Sequence, residues 1–522
     1  MIAVQLNKRD FEYDIHSLVK AFFPGEDVVI CPEEPLPEMK LKISIFFEKR
    51  EAGQREGAGT LPMGEQSEEV PVNETEQVRI CLEQKRAEEE KAAAKTGGTE
   101  SLQVCGQMER TAPVTVSDRK ETKNVLKRLL YRMLSEYTGQ KLPWGNLTGI
   151  RPTKIPMALL EQGWKNAQIA EYMRKTYDTS REKTALAIAI ANRERHILKD
   201  IHYENGYSLY VGIPFCPSIC LYCSFSSSPL SLWRDRVDNY LDALCREIDE
   251  VSGSFRDREL DTVYIGGGTP TTLEPGQMDR LLTKLEERFD YTHLKEFTVE
   301  AGRPDSITRE KLQVLKEHGI SRISINPQTM NQKTLDLIGR RHTVEETKEA
   351  FGLARTLGFD NINMDLIVGL PGEGMEEVCH TMEELKHMEP DSVTVHSLAL
   401  KRATRLNLFK EQYREISFQN SSEIMDMTAR CCQEMGLSPY YLYRQKNMAG
   451  NFENVGYASE GKEGIYNILI MEEVQSILAL GAGASTKLVE KDHIERIENV
   501  KDIKNYIERI EEMIRRKETR IR

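Results

Sequence analysis

The sequence predicts an α/β protein in which residues 201–400 form a parallel sheet, either open or closed into a partial or full (β/α) barrel. Short apolar segments of strand character alternate there with amphipathic helical segments, and parallel neighbours need connections of that kind. Polar or glycine residues follow the strands, where a parallel sheet gathers its ligands. The predicted strands are residues 209–213, 262–265, 296–299, 322–325, 362–367 and 392–395.

Three regions precede this sheet. Residues 1–47 predict a small N-terminal α/β domain, with strand patterns near both ends and a short helix between them. Residues 48–118 are rich in Glu, Gln, Gly, Thr and Lys and poor in aromatic residues, which predicts a polar linker or insertion in which 77–82 has strand character. Helical periodicity is typical of residues 119–200.

The C-terminal region, residues 401–522, predicts a mostly helical domain. Its apolar residues recur at helical spacing, and this pattern is interrupted by the glycine-rich residues 478–485, which fit one strand or turn. We expect this domain to cover the mouth of the barrel.

Side chains able to bind a ligand stand at the predicted carboxyl ends of the strands. Taken singly, a polar residue at a strand end is more often solvated than functional, and a glycine run without the lysine of a phosphate loop is a weak signal. Several such ends on one edge of a parallel sheet point to a site, because they converge on the same space. They are Cys216, residues 266–270 (Gly-Gly-Gly-Thr-Pro), Glu300, Gln328, Asp365 and residues 396–399.

Three cysteines after the first strand are the most informative pattern of the chain. Cys216, Cys220 and Cys223 have no fourth cysteine nearby. Their spacing would also suit one apolar face of a helix, but Pro214 and Pro217 flank the first cysteine and favour a loop. A structural zinc site would more often use two separated Cys-x-x-Cys pairs. We therefore interpret the three residues as ligands of a four-iron, four-sulfur cluster in which one iron is open to a ligand.

Composition and charge exclude several other classes of protein. The 522 residues carry a net charge of −12, which provides no overall basic surface for nucleic acid. The ten cysteines are scattered apart from the three above and the Cys431 and Cys432 pair, which argues against a secreted disulfide framework. Residues 1–10 lack the apolar core of an export signal, and residues 185–191 are too short to span a bilayer. We expect a cytoplasmic protein without a membrane span.

Four runs of sequence together resemble a known family. The chain has Tyr-Val-Gly-Ile-Pro-Phe-Cys at 210–216 and Gly-Gly-Gly-Thr-Pro at 266–270, and the two further runs are at 363–371 and 440–457. The cysteine loop and the glycine run are similar to those of the radical S-adenosylmethionine (SAM) superfamily. The full set resembles the oxygen-independent coproporphyrinogen III dehydrogenases, specifically the HemZ branch. The resemblance implies a radical SAM barrel.

The resemblance also implies cofactors and the residues that bind them. In that family the three cysteines bind a [4Fe-4S] cluster, and SAM binds the open iron through its amino and carboxylate groups. Tyr210, Gly267 and Glu300 would contact this SAM molecule. A second SAM molecule would be bound by Tyr222, Gly268, Thr269, Gln328, Arg340, Asp365 and Ala399.

The implied reaction converts coproporphyrinogen III to protoporphyrinogen IX by oxidative decarboxylation of two propionate side chains. It requires an electron donor such as a flavodoxin or ferredoxin, and we expect a monomer. A substrate with four carboxylates needs cations in its site. The candidates are Arg402, Arg405, Arg444 and Lys446, although Arg402 and Arg405 would equally suit a solvated surface.

Two other functions fit the same resemblance. A heme chaperone of this superfamily would keep the cluster and SAM site but bind heme, and the chain shares Phe225 and the run 340–343 with that branch. It differs from the chaperones in its long N-terminal region and in residues 440–457. A radical methyltransferase would also use two SAM molecules.

Overall fold

The computed structural model describes residues 1–32, 39–49, 76–84, 107–399, 404, 420–445, 452–490 and 493–521. Contacts within the chain define two compact units. The first comprises Met1–Gly149 and Lys165–Ala185, and the second comprises Ile150–Trp164 and Leu186–Arg522. The helical region predicted at 119–200 is therefore divided between the two units.

The first unit is built on a five-stranded sheet in the order β2-β1-β3-β4-β5. The three strands β1, β2 and β3 are parallel, whereas β4 and β5 continue antiparallel. Residues 1–47 have the predicted mixture of helix and strand, but the unit that contains them extends over Met1–Gly149 and Lys165–Ala185. Its strands are β1 (Ile2–Leu6), β2 (Val28–Ile30), β3 (Leu41–Lys49), β4 (Glu76–Gln84) and β5 (Gln107–Val114), and its helices are Glu12–Phe22, Arg119–Thr138 and Asn166–Tyr177.

The sequence predicts a polar linker or insertion at residues 48–118, and two described segments within it are strands. In β4, Val78, Ile80 and Leu82 are buried in the core of the first unit. Alternate residues of a strand point to one face, so a short strand with this period can be buried although its surroundings are polar. The strand character predicted at 77–82 is confirmed, while β5 carries few apolar residues and was missed.

The second unit contains an eleven-stranded sheet in the order β14-β15-β13-β12-β11-β10-β9-β6-β16-β17-β18. From β13 to β16 all neighbours are parallel, which confirms the predicted parallel sheet. Over the described residues the sheet is open, so the partial barrel is the applicable form. The six predicted strands correspond to β6 (Gly206–Ile213), β9 (Glu259–Gly267), β10 (Glu296–Glu300), β11 (Arg322–Ser324), β12 (Ile362–Val368) and β13 (Ser392–Ser397).

Helices connect these strands and bury their own apolar stripes. Crossovers of one hand keep such helices on one side of a sheet. Thr343 begins one helix as an N-cap, since its hydroxyl accepts a hydrogen bond from the Glu346 amide at 3.1 Å. The connecting helices are Val237–Val251, Pro275–Arg288, Arg309–Glu317, Gln332–Leu337, Val344–Thr356 and Met375–Met388, and Lys154–Glu161 and Arg181–Ile197 precede β6.

The two faces of the parallel sheet differ in polarity. Residues such as Val263, Ile265 and Val299 are buried on the apolar face. The alternate residues of the same strands are polar and hydrogen-bonded to each other, as where the Thr262 hydroxyl donates to Ser208 Oγ at 2.9 Å. Because the side-chain period of a strand is two, this alternation directs polar side chains such as those of Ser208 and Thr262 to one face of the sheet.

Residues 401–522 contain more strand than the sequence predicts, which corrects the mostly helical expectation. β16 inserts beside β6 in parallel, and all five of its residues are buried. The sequence signal was ambiguous, since a short apolar run fits a buried helix or a buried strand equally well. The strands are β14 (Ser438–Tyr443), β15 (Asn454–Ala458), β16 (Ser476–Leu480), β17 (Ser485–Glu490) and β18 (His493–Glu498), and the helices are Ser422–Glu434, Ile465–Glu472, Ile503–Glu508 and Ile510–Glu518.

The last helix is fixed to the sheet unit by a buried ion pair. Lys517 Nζ lies 2.5 Å from Glu247 Oε1, and both side chains are fully buried. The second oxygen of Glu247 accepts from the Tyr506 hydroxyl at 2.6 Å. In the described part of the chain, no helix is both long and apolar enough to cross a membrane.

Candidate functional site

The cysteine loop leaves β6 at its carboxyl end and is irregular, as the flanking prolines predict. Phe215 and Cys216 form a short strand, β7 (Phe215–Cys216), which pairs with β8 (Ser228–Pro229). The Leu221 amide donates to the Ile338 carbonyl at 3.0 Å, which fixes the middle of the loop to the neighbouring connection. The interpretation of the cysteines as one face of a helix is thus excluded.

The three thiols lie close together in a mostly buried environment. Burial raises the pKa of Cys216 and raises that of Cys223 to about 11, and repulsion between the sulfurs adds to both shifts. The Thr269 hydroxyl donates to Cys216 Sγ at 3.6 Å, and Arg303 Nη1 donates to Cys220 Sγ at 3.6 Å. Thiols of this kind become thiolates when a metal displaces their protons, and three soft sulfur donors fit an iron-sulfur cluster with one open iron.

The glycine run brings the second strand against this loop. The Gly268 and Thr269 amides donate to the Ile213 and Phe215 carbonyls, both at 2.7 Å. A Cβ on Gly268 would lie 2.5 Å from the Phe215 carbonyl oxygen, so no other residue allows this approach. Gly267 has φ +105°, a conformation that side chains disfavour.

Two carboxylates, Glu300 at the end of β10 and Asp365 within β12, have opposite pKa shifts. Burial raises the pKa of Glu300 to about 7, and repulsion from Asp365 adds to this, although Glu300 accepts a hydrogen bond from the Tyr264 hydroxyl. Burial also acts to raise the pKa of Asp365, but contact with His396 at 3.6 Å and a hydrogen bond from Asn363 at 2.7 Å outweigh it and lower the pKa. Near neutral pH Asp365 is charged, whereas Glu300 can gain or lose a proton.

Arg340 is a fixed cation beside the cysteine loop. One guanidinium nitrogen donates to the Tyr222 hydroxyl at 3.1 Å, and the other donates to the Gly302 and Asn326 carbonyls at 2.9 and 2.5 Å. The side chain is only 3% exposed. Hydrogen bonds to three partners hold the charge in place and leave it close enough to lower the pKa of Cys223.

Gln328 has an unusual backbone conformation and pairs with β12. Its φ is +69°, which is uncommon for a residue with a side chain. Its amide donates to the Asp365 carbonyl and its carbonyl accepts from the Ile367 amide, both at 2.9 Å. The strained conformation therefore positions Gln328 next to Asp365, as the convergence of strand ends predicts.

The predicted substrate cations are only partly described. Arg444 directly follows β14, whose direction matches that of β13, so it lies at the same edge of the sheet as the other strand ends. It is 4% exposed, and burial lowers its pKa to about 10, at which it is still a cation at neutral pH. Arg402, Arg405 and Lys446 lie outside the described residues. Ala399 is half-buried just after β13.

Three residues of the site were missed from the sequence. Arg303 contacts both Cys220 and Asp305, and its position three residues after Glu300 was a usable signal. Tyr264 and Tyr466 stack with ring centroids 4.5 Å apart beside Tyr210. Tyr466 comes from the helix Ile465–Glu472, and no local pattern connects that helix with β9.

Comparisons with known proteins give one consistent group of relatives. A profile of the Radical SAM superfamily matches residues 210–385. The chain is 43% identical over 398 residues to the oxygen-independent coproporphyrinogen-III oxidase-like protein HemZ of Bacillus subtilis, covering 75% of this chain and 79% of HemZ. It is 33% identical over 284 residues to the heme chaperone HemW of Lactococcus lactis, covering 53% of this chain and 69% of HemW. The solved coproporphyrinogen III oxidase (HemN) of Escherichia coli aligns with a TM-score of 0.49 at 24% identity, covering 61% of this chain and 73% of HemN.

Replacing Cys216, Cys220 or Cys223 by Ala is expected to abolish iron-sulfur cluster binding, because each change removes one of three thiolate donors. The measurement is iron per chain and broad visible absorbance after anaerobic reconstitution. Cys245→Ala is the matched control, since this buried thiol lies on the helix Val237–Val251 away from the loop. A triple variant with as much iron as the wild type would contradict the assignment.

Proposed function

Because the chain belongs to the radical SAM family of oxygen-independent coproporphyrinogen III oxidase-like proteins, we propose that it converts coproporphyrinogen III to protoporphyrinogen IX. The observation that carries this proposal is that the cysteine loop lies at the carboxyl ends of the parallel strands. Gly267, Glu300 and Arg340 are among the residues at these ends. Each of the two propionate chains would lose one hydrogen atom, which ends in 5′-deoxyadenosine, and one electron, which passes to an external one-electron acceptor. Carbon dioxide would leave and a vinyl group would form. The superfamily implies a [4Fe-4S] cluster and SAM as cofactors.

The chain's own residues bind and orient the cofactors in this proposal. When bound, the cluster and SAM would supply the radical chemistry needed to remove hydrogen from the substrate. The backbone of Gly267 is accessible beside the Tyr210 hydroxyl because glycine has no Cβ. A Cβ there would lie only 3.1 Å from the hydroxyl oxygen. Glu300 offers a carboxylate to the amino or ribose groups of SAM.

We also assign a second SAM molecule to this edge. Four of the seven residues assigned to it form two pairs. The Arg340 guanidinium contacts the Tyr222 hydroxyl, and the Gln328 amide donates to the Asp365 carbonyl. Equilibrium dialysis with labelled SAM gives the stoichiometry, and one molecule per chain would remove this second site. The assigned residues are Tyr222, Gly268, Thr269, Gln328, Arg340, Asp365 and Ala399.

The proposed partners follow from the chemistry. Cluster reduction requires a one-electron donor, for which we propose a flavodoxin or a ferredoxin, and we propose that the protein acts as a monomer. Arg444 is the described cation for a substrate propionate, because a buried guanidinium pairs strongly with a carboxylate.

The deciding experiment is an anaerobic assay of the reconstituted full chain with SAM, a reductant and coproporphyrinogen III. Loss of two carboxyl groups from the porphyrinogen together with 5′-deoxyadenosine release would support the proposed reaction. A heme chaperone is the second candidate, since HemW proteins are 33% and 31% identical to this chain and Phe225 is 73% exposed on the cysteine loop. Tight heme binding with no substrate-dependent 5′-deoxyadenosine would replace the first function by the second.

SAM binding is expected to tighten about tenfold between pH 6 and pH 8. The reason is that Glu300, with a pKa of about 7, is protonated at the lower pH and becomes a charged acceptor at the higher pH. The measurement is the SAM dissociation constant of cluster-loaded protein without reductant, with iron content checked at each pH. Glu300→Gln should bind SAM more weakly and with a flat profile, and the exposed Glu310→Gln should behave as the wild type. Parallel pH profiles for wild type and Glu300→Gln would exclude this role.

Arg444→Gln is expected to raise the KM for the porphyrinogen about tenfold or more, because a charge-assisted hydrogen bond to a propionate is lost. The SAM dissociation constant should stay at its wild-type value, and the melting temperature shows how far loss of this buried cation disturbs the fold. Arg444→Lys, which keeps the charge, should restore part of the affinity. An unchanged KM in Arg444→Gln would remove this residue from the substrate site.

A further inference from the structure

Two histidines and a glutamate meet where the parallel strands of the eleven-stranded sheet begin, at the end opposite the cysteine loop. His202 precedes β6, Glu259 is the first residue of β9, and His293 lies just before β10. Each residue offers one ligand atom, which is an imidazole nitrogen or a carboxylate oxygen. These three atoms lie within 4.8 Å of one another. The cysteine loop, in contrast, follows the carboxyl end of β6, so this cluster is separate from the candidate active site.

Backbone hydrogen bonds hold the three segments together. The Gly206 amide donates to the His202 carbonyl at 2.8 Å, and the Glu259 amide donates to the Asn205 carbonyl at 2.9 Å. The Lys295 amide, two residues after His293, donates to the Asp261 carbonyl at 2.8 Å. The side chains therefore project from a preformed frame rather than from independent loops.

A buried carboxylate orients the imidazole of His202. Its Nδ1 lies 2.8 Å from Asp261 Oδ1, and Asp261 is completely buried. The other oxygen of Asp261 accepts from Gln475 Nε2 at 2.5 Å and from the His202 amide at 3.2 Å. Histidine ligands of metals commonly donate their second nitrogen to such a carboxylate, which fixes the tautomer and increases the basicity of the free nitrogen.

We propose that His202 Nε2, the Glu259 carboxylate and His293 bind a zinc ion, with water in the fourth position. Two imidazoles and one carboxylate form a donor set that zinc uses with an open position. Tetrahedral ligand atoms at zinc distances are roughly 3.4 Å apart. His202 Nε2 and Glu259 Oε2 are already 3.0 Å apart, and the exposed imidazole of His293 can rotate to complete the site.

The bound ion would join the starts of β6, β9 and β10, and β6 leads directly into the cysteine loop. Zinc binding should therefore raise the melting temperature of the protein.

His318 provides a contrasting arrangement on the same unit. Its Nε2 lies 3.0 Å from Asp279 and its Nδ1 lies 2.7 Å from Glu286. The two carboxylates contact opposite nitrogens of the imidazole ring. One metal ion could therefore not bind both carboxylates and an imidazole nitrogen. This cluster is an ion-pair site, and it supplies the matched control.

The test uses the full chain with its iron-sulfur cluster, dialysed anaerobically against buffered zinc, followed by zinc and iron analysis. We expect one zinc per chain in the wild type and in His318→Ala, at least a tenfold loss of zinc affinity in His293→Ala, and equal iron in all three. The zinc-dependent rise in melting temperature should also be lost in His293→Ala. X-ray absorption at the zinc edge should show nitrogen and oxygen neighbours only. Equal zinc in wild type and His293→Ala, no zinc in the wild type, or sulfur neighbours would overturn the proposal.

Discussion

The two-residue period of the parallel strands is the constraint on which the rest of the second unit depends. It directs apolar side chains such as Val263 and Val299 to one face and polar ones to the other. A buried polar face is stable only if its groups are hydrogen-bonded, and Asn363 meets this requirement by accepting from Ser392 and Thr394, both at 3.1 Å. The interior is thus prepared for polar ligands before any ligand binds.

The same burial separates the two carboxylates chemically. Asp365 has strong hydrogen-bonding partners and keeps its charge, whereas Glu300 has mainly the Tyr264 hydroxyl and a charged neighbour. Two nearby carboxyl groups repel each other, so the one with the stronger hydrogen-bonding and ionic partners ionises first. The strand ends therefore provide one permanent anion and one group that responds to a ligand.

The sequence predicted the parts of the site that depend on local patterns. Periodicity and the flanking prolines predicted the irregular cysteine loop and the six strands β6, β9, β10, β11, β12 and β13. Long-range pairing was not. β16 lies beside β6 although more than two hundred residues separate them. Tyr466 stacks on Tyr264 from a helix that is also far away in the sequence. A short apolar run such as Ser476–Leu480 carries no information about its neighbour in the sheet.

Two buried arginines explain how a site with three thiolates and two carboxylates can be stable in the interior. Arg303 donates to Cys220 Sγ and pairs with Asp305 at 2.7 Å, and Arg340 opposes the rise that burial causes in the pKa of Cys223. The positive charges of these arginines also act on His342. Together with burial they lower its pKa to about 3 and keep the imidazole neutral. Since buried cations lose their hydration, each arginine needs fixed acceptors, which Asp305 and the carbonyls of Gly302 and Asn326 provide. The positive charge is therefore in place before a cluster assembles, and the protein need not reorganise to accept the negative charge that three thiolates bring.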